Sequence, residues 1–288
     1  MWIVWMLVAV LIAAAVLFLL TLFLISPSFG RKALRAPFAG RNYAHRGLFA
    51  KNQSVPENSL PAFEAAAAAG YGIELDVQFT SDRKLIVFHD DTLDRMTGIH
   101  GWVHDHPWEE VSGLSLAGTA YHPPLFSEVL HTVGGRVPLI VEIKSRQEYT
   151  GDYLDALCRA TLDALKGYGG AWCIESFDPR VVGRIRKLAP GVLRGQLADC
   201  SKGYRQDGAK AHHAFAMSHC LGNFLGRPDF IAWCPEPRNW AVRLIGAMGA
   251  MMVNWPALPE HDTKQLEAEY DAVIFQWYSP APRYRDGN

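Results

Sequence analysis

The chain has 288 residues, with 28 Lys+Arg against 29 Asp+Glu and a formal net charge of −1. This excludes a nucleic-acid binder that works through a global basic field. Hydrophobic residues make up 49% and aromatics 11%, enough for a sizeable core, so the composition also excludes a disordered chain. The five cysteines, Cys158, Cys173, Cys200, Cys220 and Cys234, include no Cys-x-x-Cys pair; they read as buried thiols of a reducing compartment, not as a disulfide framework or a zinc knuckle.

From Trp2 to Ile25 the sequence is apolar apart from Thr21 and carries no charge. As a helix this stretch extends about 36 Å, against about 30 Å of bilayer hydrocarbon, and so predicts a tilted membrane span. A cleaved signal peptide is the alternative. It would need a basic n-region, a shorter apolar run and a small-x-small site before Ser26-Pro27, and none is present. Arg31, Lys32, Arg35, Arg41 and Arg46 follow, with no acidic residue before Glu57. By the positive-inside rule this flank stays cytoplasmic, in keeping with the unpaired thiols. The same run is a candidate for contact with anionic headgroups. The expected organisation is a transmembrane helix over 1–26, a basic juxtamembrane linker over 27–40 and one large domain over 41–288, in a single-pass membrane protein.

Beyond Gly40, short β-rich runs alternate with helical ones, the pattern of an α/β fold built on parallel strands. Strands are predicted over 42–46, 72–79, 138–144, 171–177, 192–197, 229–233, 251–255 and 272–277. Eight is the number that closes a (β/α)8 TIM barrel. Helices are predicted over 59–69, 151–166, 179–188, 238–246 and 261–270, with Ser59 as N-cap and Pro61 in the first turn. Two stretches interrupt the alternation: 81–126, with an extra strand over 84–89, and 198–228, with a helix around 210–221. A doubly wound open sheet is the competing architecture, but it calls for a Gly-rich phosphate turn after the first strand, and the sequence has none.

Two strands carry polar pairs at spacing two within apolar runs: Glu74 and Asp76 in Ile73-Glu74-Leu75-Asp76-Val77, and Glu142 and Lys144 in Val141-Glu142-Ile143-Lys144. Residues at that spacing share a face. Parallel barrel strands are covered on both sides, so inward charges are costly unless they serve a site, and these lie near the C-terminal strand ends where barrel sites assemble. Glu74, Asp76 and Glu142 together offer hard oxygen ligands suited to Mg2+ or Ca2+. Lys144 suits a phosphate oxygen or simply neutralises Glu142. His45, in Ala44-His45-Arg46-Gly47, and His89, in Phe88-His89-Asp90, suit a general acid and a general base.

The order and spacing of His45-Arg46-Gly47, Pro56-Glu57-Asn58-Ser59, Glu74-x-Asp76, His89-Asp90 and Glu142-x-Lys144, continued by Asp94-Arg95-Met96-Thr97-Gly98 and Trp102, resemble the signature of the glycerophosphodiester phosphodiesterase family. The resemblance implies a TIM barrel that hydrolyses glycerophosphodiesters to glycerol 3-phosphate and an alcohol with a divalent metal. It implies His45 and His89 as the acid/base pair, Glu74, Asp76 and Glu142 as metal ligands, Arg46 and Lys144 as phosphate contacts, and Glu57 in a supporting or metal-proximal role. Asn58 reads as a family residue or as a helix-start residue only. In such a family the attacking group is the neighbouring glycerol hydroxyl, and the cyclic phosphate formed is then opened by water.

The likeness weakens after Lys144. The seventh and eighth strands read Val253-Asn254-Trp255-Pro256-Ala257 and Ile274-Phe275-Gln276-Trp277, which depart from the family's usual Trp-Thr-Val-Asn and Thr-Asp. Phe177, Trp255 and Trp277 are candidates to stack on glycerol or an acyl chain, or to pack in the core. His212, His213 and His219 in the second insert offer a conceivable second metal site, against the simpler reading of a surface helix. The insert's apolar residues would also suit a lid or a membrane-leaning element. The functional alternatives are a lysophospholipase D acting on membrane lysophospholipids and a non-catalytic phosphate-binding barrel.

Overall fold

The computed structural model describes residues 1–285; the end of the expected domain, 286–288, lies outside the described residues. After helix α1 (Trp2–Ile25) come the strands β1 (Arg41–His45), β2 (Gly72–Phe79), β3 (Leu85–Val87), β4 (Leu139–Ile143), β5 (Trp172–Ser176), β6 (Arg194–Ala198), β7 (Phe230–Trp233), β8 (Met251–Ala257) and β9 (Ala272–Phe275). Around and between them lie α2 (Leu60–Ala68), α3 (Asp94–Thr97), α4 (Trp108–Val111), α5 (Phe126–Val133), α6 (Gly151–Leu165), α7 (Pro179–Leu188), α8 (Ser201–Gln206), α9 (Ala211–Ser218), α10 (Asn223–Gly226), α11 (Trp240–Ala247) and α12 (Thr263–Glu269).

β1 pairs in parallel with both β2 and β9, which closes an eight-stranded parallel barrel from β1, β2 and β4–β9. This is the predicted TIM barrel, with the open sheet excluded by the β1–β9 pairing. The extra strand β3 returns antiparallel to the end of β2, with Val87 opposite Val77. Inside the barrel, Phe38, Tyr43, Phe230, Met251 and Ile274 form a compact apolar layer. Gly72 leaves the space that the Tyr43 ring occupies, and Gly195 does so for Phe230; a side chain at either position would collide with that layer. A larger apolar shell between strands and helices includes Phe63, Val129, Leu157 and Ile245.

Two local expectations change. Ser59 directs its hydroxyl to the Pro56 carbonyl at 2.5 Å and makes no side-chain cap, so the proline in the first turn, with its preset φ, fixes the start of α2. No element is predicted over 127–137, yet Phe126, Val129 and Val133 bury one face of α5, a helical spacing.

α1 stands clear of the barrel except at its last turn. Ile25 is fully buried, its carbonyl accepts from Asn223 Nδ2 at 3.0 Å, and Arg227 Nη1 donates to the Phe23 carbonyl at 2.7 Å. The following segment is engaged by the barrel. Ser28 hydrogen-bonds buried Asp229, Arg31 Nε lies 2.7 Å from the same carboxylate, and Arg35 donates to the Gly249 carbonyl. Those partners precede β7 and β8, so the linker packs against the N-terminal end of the barrel, opposite the end where His45, Asp76 and Glu142 lie.

Candidate active site

β1 ends at His45, β2 carries Glu74 and Asp76, and β4 carries Glu142 with Lys144 just beyond; the register sets His45 beside Glu74 and Asp76 beside Glu142. One carboxylate oxygen each from Glu74, Asp76 and Glu142 falls within a 4.8 Å cluster, and all three residues are buried. Lys144 Nζ stands 3.1 Å from Glu142 Oε1 and 3.5 Å from Asp76 Oδ1. The structure therefore brings together the paired motifs that the sequence offered separately.

The hydrogen bonds around these carboxylates are unequal. Arg46 donates its backbone N–H to Glu74 Oε2 at 3.1 Å, and Asn58 Nδ2 donates to Asp76 Oδ2 at 2.8 Å. Both residues hold left-handed backbone, φ 56° at Arg46 and φ 52° at Asn58, a local strain that points each of them into the site. Asp76 Oδ1 is buried with no hydrogen-bond partner. Glu175 on β5, paired in register with Glu142, adds a fourth buried carboxylate whose Oε2 is also without a partner.

Burial, reinforced by Asp76, Glu175 and Glu142, pushes the Glu74 carboxyl well above its ordinary range. Burial likewise raises Glu142 to about 7 against the pull of Lys144, and raises Glu175. Burial opposes ionisation of Asp76 too, but His89, Lys144 and Arg46 outweigh it and hold that carboxyl below the usual range. A cluster this rich in carboxylates keeps protons unless a cation replaces them. The orphaned Asp76 oxygen and the all-oxygen donor set fit a hard divalent cation at Glu74, Asp76 and Glu142.

The two histidines have different partners. His45 Nδ1 contacts the Gln276 side-chain oxygen, with Nε2 3.8 Å from Glu74 Oε2. His89 Nδ1 lies 2.7 Å from Asp90 Oδ1. Burial and the Arg46 charge depress His45 to about 3, and burial with Lys144 also lowers His89.

Glu57 is occupied by cations: Arg46 Nη1 at 2.7 Å, and Arg95 Nη2 and Nη1 at 2.6 and 3.0 Å. Arg95 reaches on to Asp90 with Nε at 2.6 Å. Arg46 Nε stays buried without an acceptor. Sequence reasoning gave no role to Gln276, Glu175 or Arg95. Glu175 carried a usable signal, a charge within the apolar run Trp172-Cys173-Ile174-Glu175, whereas Gln276 read only as a departure from the family pattern.

Of the three aromatic candidates, Trp255 lies 6.3 Å from the His45 ring and makes an edge contact with Phe177 at 5.3 Å. Trp277 packs instead against Phe49 and under Lys51. In the insert, His212 and His213 are exposed and His219 is hydrogen-bonded to the Phe215 carbonyl and Ser218; they form no metal cluster among the described residues, so α9 is a surface helix.

Residues 45–275 match the glycerophosphoryl diester phosphodiesterase family. A glycerophosphodiester phosphodiesterase of Caldanaerobacter subterraneus subsp. tengcongensis is 34% identical over 166 residues, 54% of this chain and 66% of that protein. One of Bacillus subtilis is 31% identical over 180 residues, covering 55% and 59%. The chain thus spans about 60% of the length of these relatives. The fold matches an Oleispira antarctica phosphodiesterase solved with the product sn-glycerol-3-phosphate, at TM-score 0.63 and 20% identity over 83% of this chain and 93% of that one. It also matches a Thermotoga maritima glycerophosphodiester phosphodiesterase, at TM-score 0.57 and 23% identity over 81% and 93%. With the family match running from His45 on β1 to Phe275 on β9, through every strand of the barrel, the chain belongs to the glycerophosphoryl diester phosphodiesterase family.

Proposed function

We propose that this chain is a membrane-anchored phosphodiesterase that hydrolyses glycerophosphodiesters to glycerol 3-phosphate and an alcohol. What carries the reading is the meeting of Glu74, Asp76 and Glu142 with two cations and two differently supported histidines at one barrel end. The three carboxylates would hold Mg2+ or Ca2+, which when bound supplies positive charge to the phosphoryl oxygens. Arg46, through its Nε, which makes no hydrogen bond within the protein, and Lys144 add hydrogen-bonded charge to the same oxygens.

His45 and His89 divide the proton transfers. Burial and the Arg46 charge keep His45 neutral, and the amide oxygen at Nδ1 fixes the lone pair at Nε2, suited to take the proton of the attacking glycerol hydroxyl. Burial and Lys144 lower His89, but the Asp90 carboxylate at Nδ1 works against them and orients the ring, which suits His89 rather than His45 to protonate the departing alcohol. Glu57 and Arg95 hold Arg46 and Asp90 in place. Trp255 and Phe177 wall the pocket on the β5–β8 side.

The anchoring part rests on α1. Its length and apolarity allow a span, and its last turn is packed into the domain, which favours a retained helix over a removed signal. The basic flank favours a cytoplasmic domain, although Arg31, Arg35 and Arg46 are also engaged within the barrel; a protease-protection assay on oriented membranes tests the side. A retained anchor equally suits a lysophospholipase D. The deciding experiment measures glycerol 3-phosphate release by the full chain from glycerophosphoethanolamine, and ethanolamine release from lysophosphatidylethanolamine, each with and without chelator. Chelator-sensitive turnover of the first alone supports the proposal; turnover of the second alone replaces it.

A further inference from the structure

A second group of donors lies away from the carboxylate centre, at the root of the 198–228 insert. Asp199 and Cys200 follow β6, and Cys234 follows β7. The pairing of Ala198 with Trp233 makes Asp199 and Cys234 neighbours across the two strands. The two sulfurs and an Asp199 carboxylate oxygen lie within 4.8 Å of one another.

Three features set this group apart from ordinary buried thiols. Both sulfurs are approached by backbone N–H groups: Cys200 Sγ accepts from Gly203 N at 3.4 Å, and Cys234 faces the backbone N–H groups of Glu236 and Cys200. These contacts place each sulfur on a polar face, not in purely apolar packing. Asp199 makes no ion pair among the described residues; its Oδ1 accepts the Cys200 backbone N–H at 2.6 Å, which holds the carboxylate beside the two sulfurs. Finally, Cys234 is buried while Asp199 and Cys200 are half-exposed, which leaves an open side for entry of an ion and a water.

We propose that Asp199, Cys200 and Cys234 form a site for a soft divalent cation, zinc, distinct from the carboxylate centre. Two sulfurs and one carboxylate select zinc over magnesium or calcium, and a water completes a tetrahedral set. Binding deprotonates both thiols and releases their protons to solvent, leaving a zinc–dithiolate–carboxylate unit of net charge −1. The metal ties the start of the insert to β7. Tyr204 on α8 packs edge-on against Phe177, which touches Trp255 beside His45, so the tie also steadies the aromatic wall of the active site.

The test uses the full chain in detergent, freed of metal and kept reduced with a phosphine, and titrated with Co2+. The expected result is a thiolate-to-cobalt charge-transfer band that grows to saturation and is bleached by Zn2+. Cobalt at Glu74, Asp76 and Glu142 gives no such band, so failure of the carboxylate centre leaves this readout intact. Cys200→Ser and Cys234→Ser each remove one Co–S bond and at least halve the band, and Asp199→Asn weakens cobalt binding at least tenfold. If Cys234→Ser does not fold, the half-exposed Cys200→Ser and Asp199→Asn carry the test, with circular dichroism confirming their fold. Absence of the band in the unsubstituted protein, or an undiminished band in Cys200→Ser, overturns the proposal.

Discussion

Arg95 grips Glu57 with both terminal nitrogens, at 2.6 and 3.0 Å, while its Nε holds Asp90 Oδ2 at 2.6 Å. One guanidinium on the short helix after β3 thereby fixes both the loop after β1, which carries Arg46's partner, and the carboxylate behind His89. A lysine cannot reproduce this three-pronged contact. Arg95→Lys should lower kcat by about ten- to a hundredfold, the usual cost of losing a residue that orients a catalytic group, with KM changed little. Unchanged steady-state kinetics would show that Glu57 and Asp90 hold their places without it.

Burial and its acidic neighbours push the Glu74 carboxyl well above its ordinary range, so Glu74→Gln, which keeps the shape and removes the charge, costs the metal-free fold little. The metal-free variant should melt within a few degrees of the unsubstituted protein. Saturating Mg2+ or Ca2+ should raise the Tm of the unsubstituted protein, because a ligand bound only to the native state stabilises it, and should leave the variant's Tm unmoved. Equal metal-induced shifts in both would remove Glu74 from the ligand set.

The separate supports of the two histidines predict separate losses. A nitrophenyl leaving group departs without a proton, so His89→Ala should recover much of its activity on a nitrophenyl glycerophosphodiester relative to glycerophosphocholine. His45→Ala should stay inactive on both. Equal losses on the two esters would place both histidines in metal or phosphate binding instead.

Asp229 is fully buried and accepts from Ser28, Arg31 and the Arg194 backbone. Asp229→Ala strands the partly buried Arg31 guanidinium and should cost about 3–5 kcal/mol in denaturant unfolding. The activity of the fraction that remains folded should persist, since the pair lies at the opposite barrel end from His45. A loss under 1 kcal/mol, the usual worth of an exposed pair, would mean that the linker is not integrated into the domain.

The barrel was legible in the sequence because each strand is a short β-rich run bounded by turn residues; β2 and β4 were located to within a residue, and the inward charges at Glu74, Asp76 and Glu142 stood out against Ile, Leu and Val. The carboxylates and histidines could be named because they lie on strands or strand ends, where spacing fixes direction. Gln276 and Arg95 could not. Each acts on a residue far away in the chain, 231 positions in the case of Gln276 and His45, and no local pattern marks such a contact. The same limit hid the fate of Arg31 and Arg35, which have the composition of a free basic linker but whose partners arrive about 200 residues later.

The burial of Ile25 and the grip on Ser28 and Arg31 have a mechanical consequence. A catalytic domain on a free tether tumbles independently of its anchor and samples every bearing relative to the bilayer. Here the stretch between helix and barrel has no slack: its side chains are fastened at Asp229, Val192 and Gly249. With α1 in a bilayer, the barrel turns only as the helix turns, and its mouth keeps a constant bearing. A fragment cut at Arg31 would therefore lose both Ser28 and Ile25, exposing core that the last turn of α1 completes.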